Sequence, residues 1–213
     1  MLRRFIATAL LAAALAPAIA SAQLFDNGTP NNSGGNEMTR WIQAEDFALG
    51  TASTITSIRF WAFGINANAY QGSIVWQVYS NNADIPGSVL FTGTSSIEPV
   101  NQGPIAFNGR SQLQFDMATN FNLGAGTYWL GLHNGALTTA GTTSFAWQYR
   151  ANNATFNGRE DETPFGDNLW ASNFKEHAFQ LYSTSTVVPE PSTYALLATG
   201  LAALLVVRRR RHV

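Results

Sequence analysis

Cysteine is absent from all 213 residues, and only three histidines occur, His133, His177 and His212. Without thiols there is no disulfide, no thiolate metal site and no cysteine nucleophile, so the fold must rest on its apolar core. Charge is scarce as well, with Asp, Glu, Lys and Arg making up 12% of the chain. Between the two ends, the Lys, Glu and Leu runs that build helices are missing. No His-Glu-x-x-His pair, Gly-x-Ser-x-Gly elbow or glycine-rich phosphate loop is found. That removes the usual sequence signatures of metalloproteases, serine hydrolases and nucleotide-binding enzymes. Long apolar runs are confined to the two ends.

At the front, Arg3 and Arg4 precede an apolar run over residues 5–19 and then Ala20-Ser21-Ala22. These are the three regions of a secretory signal peptide, so residues 1–22 are expected to form a signal helix cleaved after Ala22, with Ala20 and Ala22 as the small residues the peptidase reads. At the back, Pro189-Glu190-Pro191 is followed by fourteen residues, 194–207, in which only Thr199 and Gly200 interrupt the apolar run before Arg208, Arg209, Arg210 and Arg211. A helix of that length reaches about 21 Å, short of a bilayer core of about 30 Å. It spans only with bilayer thinning and snorkelling arginines. The arginines stay on the cytoplasmic side as a membrane stop and leave the bulk of the chain outside. A plain C-terminal anchor accounts for these parts taken singly. Their order resembles the PEP-CTERM sorting signal of Gram-negative bacteria, over residues 187–213. The resemblance implies recognition of Pro189, Glu190 and Pro191 by a membrane protease-transpeptidase, an exosortase. It also implies a transmembrane sorting helix that holds the membrane transiently, and delivery to the cell envelope, the cell surface or the extracellular matrix.

Six of the twelve basic residues are arginines of the two ends, Arg3, Arg4 and the four before His212. Between Gln23 and Pro191 this leaves six basic against thirteen acidic residues, a net charge of −7. Such a domain repels nucleic acid and anionic lipid, and tolerates divalent cations or neutral polymers. Residues 23–185 suffice for one ordinary domain, with residues 186–213 as the sorting segment.

That domain is rich in Gly, Asn, Thr and Ser, with aromatics throughout, a composition that favours strands joined by turns. Ile74, Trp76 and Val78 alternate with Gln77 and Tyr79. Leu113, Phe115 and Met117 alternate with polar neighbours, and the pattern returns at Tyr128, Leu130, Leu132 and at Phe145, Trp147, Tyr149. Further strands are expected around residues 24–25, 41–49, 54–63, 89–92 and 178–183, with loops at 26–36, 80–87 and 151–170. Seven to nine short strands predict an all-β antiparallel sandwich of jelly-roll type. The phrases Val78-Tyr79-Ser80 with Pro86-Gly87-Ser88-Val89-Leu90, and Gly126-Thr127-Tyr128-Trp129-Leu130, resemble a group of bacterial β-sandwich domains that carry interchangeable surface anchors. That resemblance implies the fold.

Chemistry-bearing residues are sparse. His133 and His177 fall near strand ends and read as rim residues. Carboxylates that a sandwich glycosidase would pair across a cleft are Glu45, Asp46, Glu98, Asp116, Glu160, Asp161 and Glu162. No catalytic residue is assigned; a secreted glycoside hydrolase is the alternative to a non-enzymatic domain. No cofactor is required, but calcium would find oxygens in the loops at Asp26, Asp84, Asp161 and Asp167. Six tryptophans exceed the ordinary need of such a core. Trp129, opposite the Tyr128 and Leu130 face, and Trp170, in a loop, are the candidates for stacking on a sugar ring. The reading at this level is an exported structural, adhesive or glycan-binding sandwich, with the sorting protease and exopolysaccharide as partners.

Overall fold

The computed structural model describes residues 18–64, 69–105, 109–137, 145–151, 157–161, 169–187, 200, 201 and 208. Contacts group the chain into two units, Met1–Ser21 with Thr184–Val213, and Ala22–Ser183. In the first, Gly200, Leu201 and Arg208 are helical, and among the described residues no helix is long and apolar enough to cross a membrane. Pro189, Glu190, Pro191, Arg209, Arg210 and Arg211 lie outside the described residues, as do Glu162, Asp167 and most of both apolar runs. The expected signal helix is corrected at its end. Ala18, Ala20 and Ala22 open a strand, β1 (Ala18–Asp26), which takes β13 as its partner.

Twelve more strands follow: β2 (Pro30–Glu37), β3 (Ile42–Leu49), β4 (Ser53–Gly64), β5 (Ile74–Asn81), β6 (Pro86–Ser95) and β7 (Val100–Pro104), then β8 (Ser111–Leu123), β9 (Gly126–Asn134), β10 (Phe145–Arg150), β11 (Arg159–Asp161), β12 (Ala171–Ser172) and β13 (Phe179–Val187). One sheet has seven strands. In it β8, with β7 outside it, lies along one edge of β4, while β13 and β10 share the other edge and carry β1 and β2 beyond them. The second sheet runs β12-β11-β3-β9-β5-β6. The antiparallel pairs nest: β2 with β10, β3 with β9, β4 with β8 and β5 with β6, alternately in the two sheets. That nesting is the double wrap of a jelly roll.

Residue alternation decides which face each strand buries. Phe47 and Leu49 of β3, Ile74, Trp76 and Val78 of β5 and Leu130 and Leu132 of β9 join Ile58, Phe60, Phe115, Met117, Phe145, Trp147, Phe179 and Leu181 of the other sheet in one core. Ring contacts cross between the sheets, with Trp76 stacked on Phe121 at 5.4 Å and Phe47 edge-on to Phe179 at 6.3 Å.

Strands also occur where turns were expected. β2 occupies the Asn- and Gly-rich stretch, β11 falls inside the expected 151–170 loop, and β7 and β12 carry no apolar alternation. Ladder bonds to a neighbour hold these segments. Gly35 suits its place because a Cβ there would come 2.2 Å from the Trp147 carbonyl oxygen. The 80–87 loop shrinks to a two-residue hairpin turn, in which Ala83 and Asp84 have φ of 50° and 63° and Asn82 and Ile85 exchange backbone hydrogen bonds. Successive left-handed residues define the type I′ turn, which favours Asn-Gly. Ala83→Asn with Asp84→Gly is therefore expected to stabilise the protein by about 1 kcal/mol, read as a higher urea midpoint at unchanged slope.

Candidate functional site

Past Ala44, β3 loses its neighbour on one side, because β11 pairs only with Ile42, Gln43 and Ala44. At that free edge stand Glu45, on the core-facing side with Phe47, and Asp46, on the opposite side. The segment between β12 and β13 crosses here from one sheet to the other. Gly158 N–H donates to the Lys175 carbonyl at 3.0 Å, Arg150 N–H to the Glu176 carbonyl at 3.0 Å, and Ala178 N–H to the Gln148 carbonyl at 2.9 Å. Between these anchors the His177 N–H finds no strand carbonyl and donates instead to Glu45 Oε1, at 2.8 Å. The Glu45 side chain thus closes the gap that β3 leaves. Close approach demands a glycine at 158, where a Cβ would lie 2.7 Å from Glu45 Oε1 and 2.3 Å from the Lys175 carbonyl oxygen.

Glu45 and His177 are both fully buried. His177 Nδ1 is 2.5 Å from Glu45 Oε1, and its Nε2 is 3.1 Å from Asn36 Oδ1. Asn27 Nδ2 donates to the His177 carbonyl at 2.9 Å, and the imidazole leans on Trp147 with ring centres 4.9 Å apart. Burial drives the His177 pKa down to about 3. Burial first, then the charges of Glu176 and Asp46, hold Glu45 well above the usual carboxylate range. Both directions describe a neutral pair sharing one proton. The Asn36 oxygen accepts from Nε2–H, so Nδ1 is the bare nitrogen and Glu45 supplies the proton between them.

The second Glu45 oxygen, Oε2, is buried and has no hydrogen-bond partner among the described residues. Such an oxygen costs about 1–3 kcal/mol when left unsatisfied. One oxygen from each of Glu45, Asp46 and Glu176 lies within 4.8 Å of the others, the one group of three potential metal-ligating side chains among the described residues. Glu176 also accepts the Asn157 N–H at 2.9 Å and faces Arg150 Nε at 3.5 Å. Asp46 is half-buried, and burial followed by the Glu176 charge raises its pKa. Chemically, the arrangement is a cluster of hard oxygen donors beside a neutral acid–imidazole pair.

Several sequence expectations are corrected. His133 and His177 are buried, not on the rim. Trp129 does lie on the outer face of its sheet, yet it is only 1% exposed, because Tyr79, Trp170 and the Arg159 guanidinium cover it. Its Nε1 donates to Asn81 Oδ1 at 2.9 Å, so it offers no ring to a sugar. Trp170 is half-buried, edge-on to Tyr79 at 5.2 Å. The loop carboxylates are dispersed. Asp26 caps its own turn and takes Gln180 Nε2, Asp84 sits at the hairpin tip, and Asp161 is buried in β11. Asp116 forms a two-pronged ion pair with Arg59, at 2.6 and 3.2 Å, on the first sheet, whereas Glu160 is on the second. Sequence reasoning noted Glu45 and Asp46 as carboxylates but not their meeting with Glu176. The signal lay in the placement of two adjacent acids in a strand whose other residues, Ala48 apart, are buried.

Residues 187–211 match the PEP-CTERM protein-sorting motif. No curated protein matches the chain. The motif begins at the last residue of β13 and contains Pro189, Glu190, Pro191 and the four arginines. It signals export, sorting to the bacterial cell envelope and processing by an exosortase. The chain is thus a jelly-roll domain bearing a PEP-CTERM sorting motif, a surface protein of the exosortase-sorted kind.

Proposed function

We propose that the sandwich is a non-enzymatic structural or adhesive component of the cell surface or extracellular polysaccharide matrix of a Gram-negative bacterium. The observation that carries this reading is the sorting motif at residues 187–211. It is supported by an acidic, cysteine-free domain, and by the burial of Glu45, its most perturbed carboxylate, beyond reach of a polymeric substrate. Within this reading the signal peptide is cleaved after Ala22, which leaves residues 23–26 of β1, and the exosortase removes the arginine cluster.

Mass spectrometry of both termini, in a host with the exosortase and in one lacking it, tests the reading. The expected mature chain starts at Gln23 and lacks Arg208, Arg209, Arg210 and Arg211 only where the enzyme is present. An intact arginine cluster on surface-located protein would mean a permanent membrane anchor instead. Adhesion to glycans is tested by retention on exopolysaccharide columns. Trp170 remains the candidate contact, and retention unchanged in Trp170→Ala removes it from that role.

A further inference from the structure

We propose that Glu45, Asp46 and Glu176 together bind one hard divalent cation, calcium, at the free edge of β3. Three observations converge. One oxygen from each of the three carboxylates lies within 4.8 Å of the others. Like charges so close repel unless a cation or protons lie among them. The second is Glu45 Oε2, fully buried and without a hydrogen-bond partner among the described residues. An oxygen in that condition is a ligand atom already stripped of water. Third, the surrounding contacts position the donors independently of any ion. His177 N–H holds Glu45 Oε1 at 2.8 Å, and Asn157 N–H holds Glu176 Oε1 at 2.9 Å.

The donor chemistry selects the ion. The donors are the Asp46 and Glu176 carboxylates and the carbonyl-type Oε2 of Glu45, whose proton lies between Oε1 and His177 Nδ1, with neither sulfur nor a free imidazole nitrogen among them. Carboxylate oxygens suit calcium and magnesium over zinc or copper. Magnesium demands a near-ideal octahedron and keeps several waters, whereas calcium accepts irregular sets of about six to eight oxygens. A site in which two of the three carboxylates are buried and one oxygen is already dry favours the ion that sheds water more readily. Cation binding here also ties β3 of one sheet to the segment that enters β13 of the other, through Glu176. Bound calcium therefore acts as a clasp on the open side of the sandwich.

The test uses the full-length chain and terbium as a luminescent stand-in for calcium, excited through the tryptophans. Trp147, in ring contact with His177, and Trp129, paired with Asp46 across the β3–β9 ladder, are the donors beside the cluster. Terbium emission is expected to rise on binding, to fall when calcium displaces it, and to drop at least tenfold in Asp46→Asn and in Glu176→Gln. In parallel, about 10 mM calcium chloride, well above the weak affinities of extracellular calcium modules, should raise the unfolding midpoint by several degrees over sodium chloride of equal ionic strength. Asp46 is half-buried and Asn is near-isosteric with it, so its variant is expected to keep the wild-type circular dichroism spectrum. Absence of terbium emission from the wild-type chain overturns the proposal. So does emission from both variants as strong as that of the wild-type chain, or a midpoint that sodium chloride raises as much as calcium does.

Discussion

Trp147→Ala is expected to destabilise the protein by about 3–5 kcal/mol, the range for deleting a buried aromatic side chain without full collapse of the cavity. The site has little room to relax. Trp147 is fully buried and packs against Phe60 at 6.2 Å, Phe179 at 5.8 Å and His177 at 4.9 Å. Its Nε1 donates to the Ala178 carbonyl at 2.9 Å, so the substitution also strands a buried acceptor. Total stabilities are about 5–15 kcal/mol, and a change of this size lowers the unfolding midpoint by roughly 10 °C. Circular dichroism is the right probe, since the variant removes a fluorophore. Trp41→Ala is the control, because Trp41 is half-buried, with the Arg40 guanidinium over its ring at 5.8 Å, and should cost under about 1 kcal/mol. Equal losses in the two variants would show that Trp147 does not join core and site.

The Glu45–His177 pair predicts an unusual dependence on pH in calcium-free, chelator-treated protein. Their ordinary values are 4.5 and 6.5, and folding moves Glu45 up and His177 down to about 3. Between pH 4.5 and 6.5 the unfolded chain carries one proton on the histidine and the folded pair carries one on the acid. The counts match, and the pair adds no slope. Above pH 6.5 the unfolded chain holds none while the folded pair still holds one. Stability therefore falls by up to about 1.4 kcal/mol per pH unit until Glu45 ionises. Below pH 4.5 the unfolded chain holds two, and stability falls toward pH 3, where His177 takes its proton. Asp46, also raised, tilts the curve the same way as the alkaline limb. Glu45→Gln keeps the side-chain shape but cannot ionise, so the difference between its curve and the wild type isolates the alkaline limb. Parallel curves from pH 6.5 to 9 would exclude the shared proton.

Strands β5, β8, β9 and β10 are legible because each alternates apolar with polar residues, which fixes the buried face, whereas β4 is legible from its density of β-branched and aromatic residues. Strands β2 and β11 are not, since Pro30–Glu37 holds asparagines and glycines and Arg159–Asp161 is all charged. Their extended form comes from hydrogen bonds to β10 and β3, which no local pattern announces. Trp129 lies on the expected face but is not exposed, because what covers it, Tyr79, Trp170 and Arg159, comes from segments distant in the chain. Likewise, His177 was read as a rim residue because its burial depends on contacts with Asn27, Asn36 and Glu45, all more than a hundred residues away.

What the sequence determined by itself was the all-β class, the core faces of the long strands and the sorting motif, all properties of neighbouring residues read in order. Only the tertiary structure decided the carboxylate cluster. Glu45 and Asp46 lie more than a hundred residues from Glu176, and a strand edge left open by β11 brings them together. Long-range closure of this kind depends on which backbone groups remain unpaired after the sheets have formed, and a linear pattern does not carry that information.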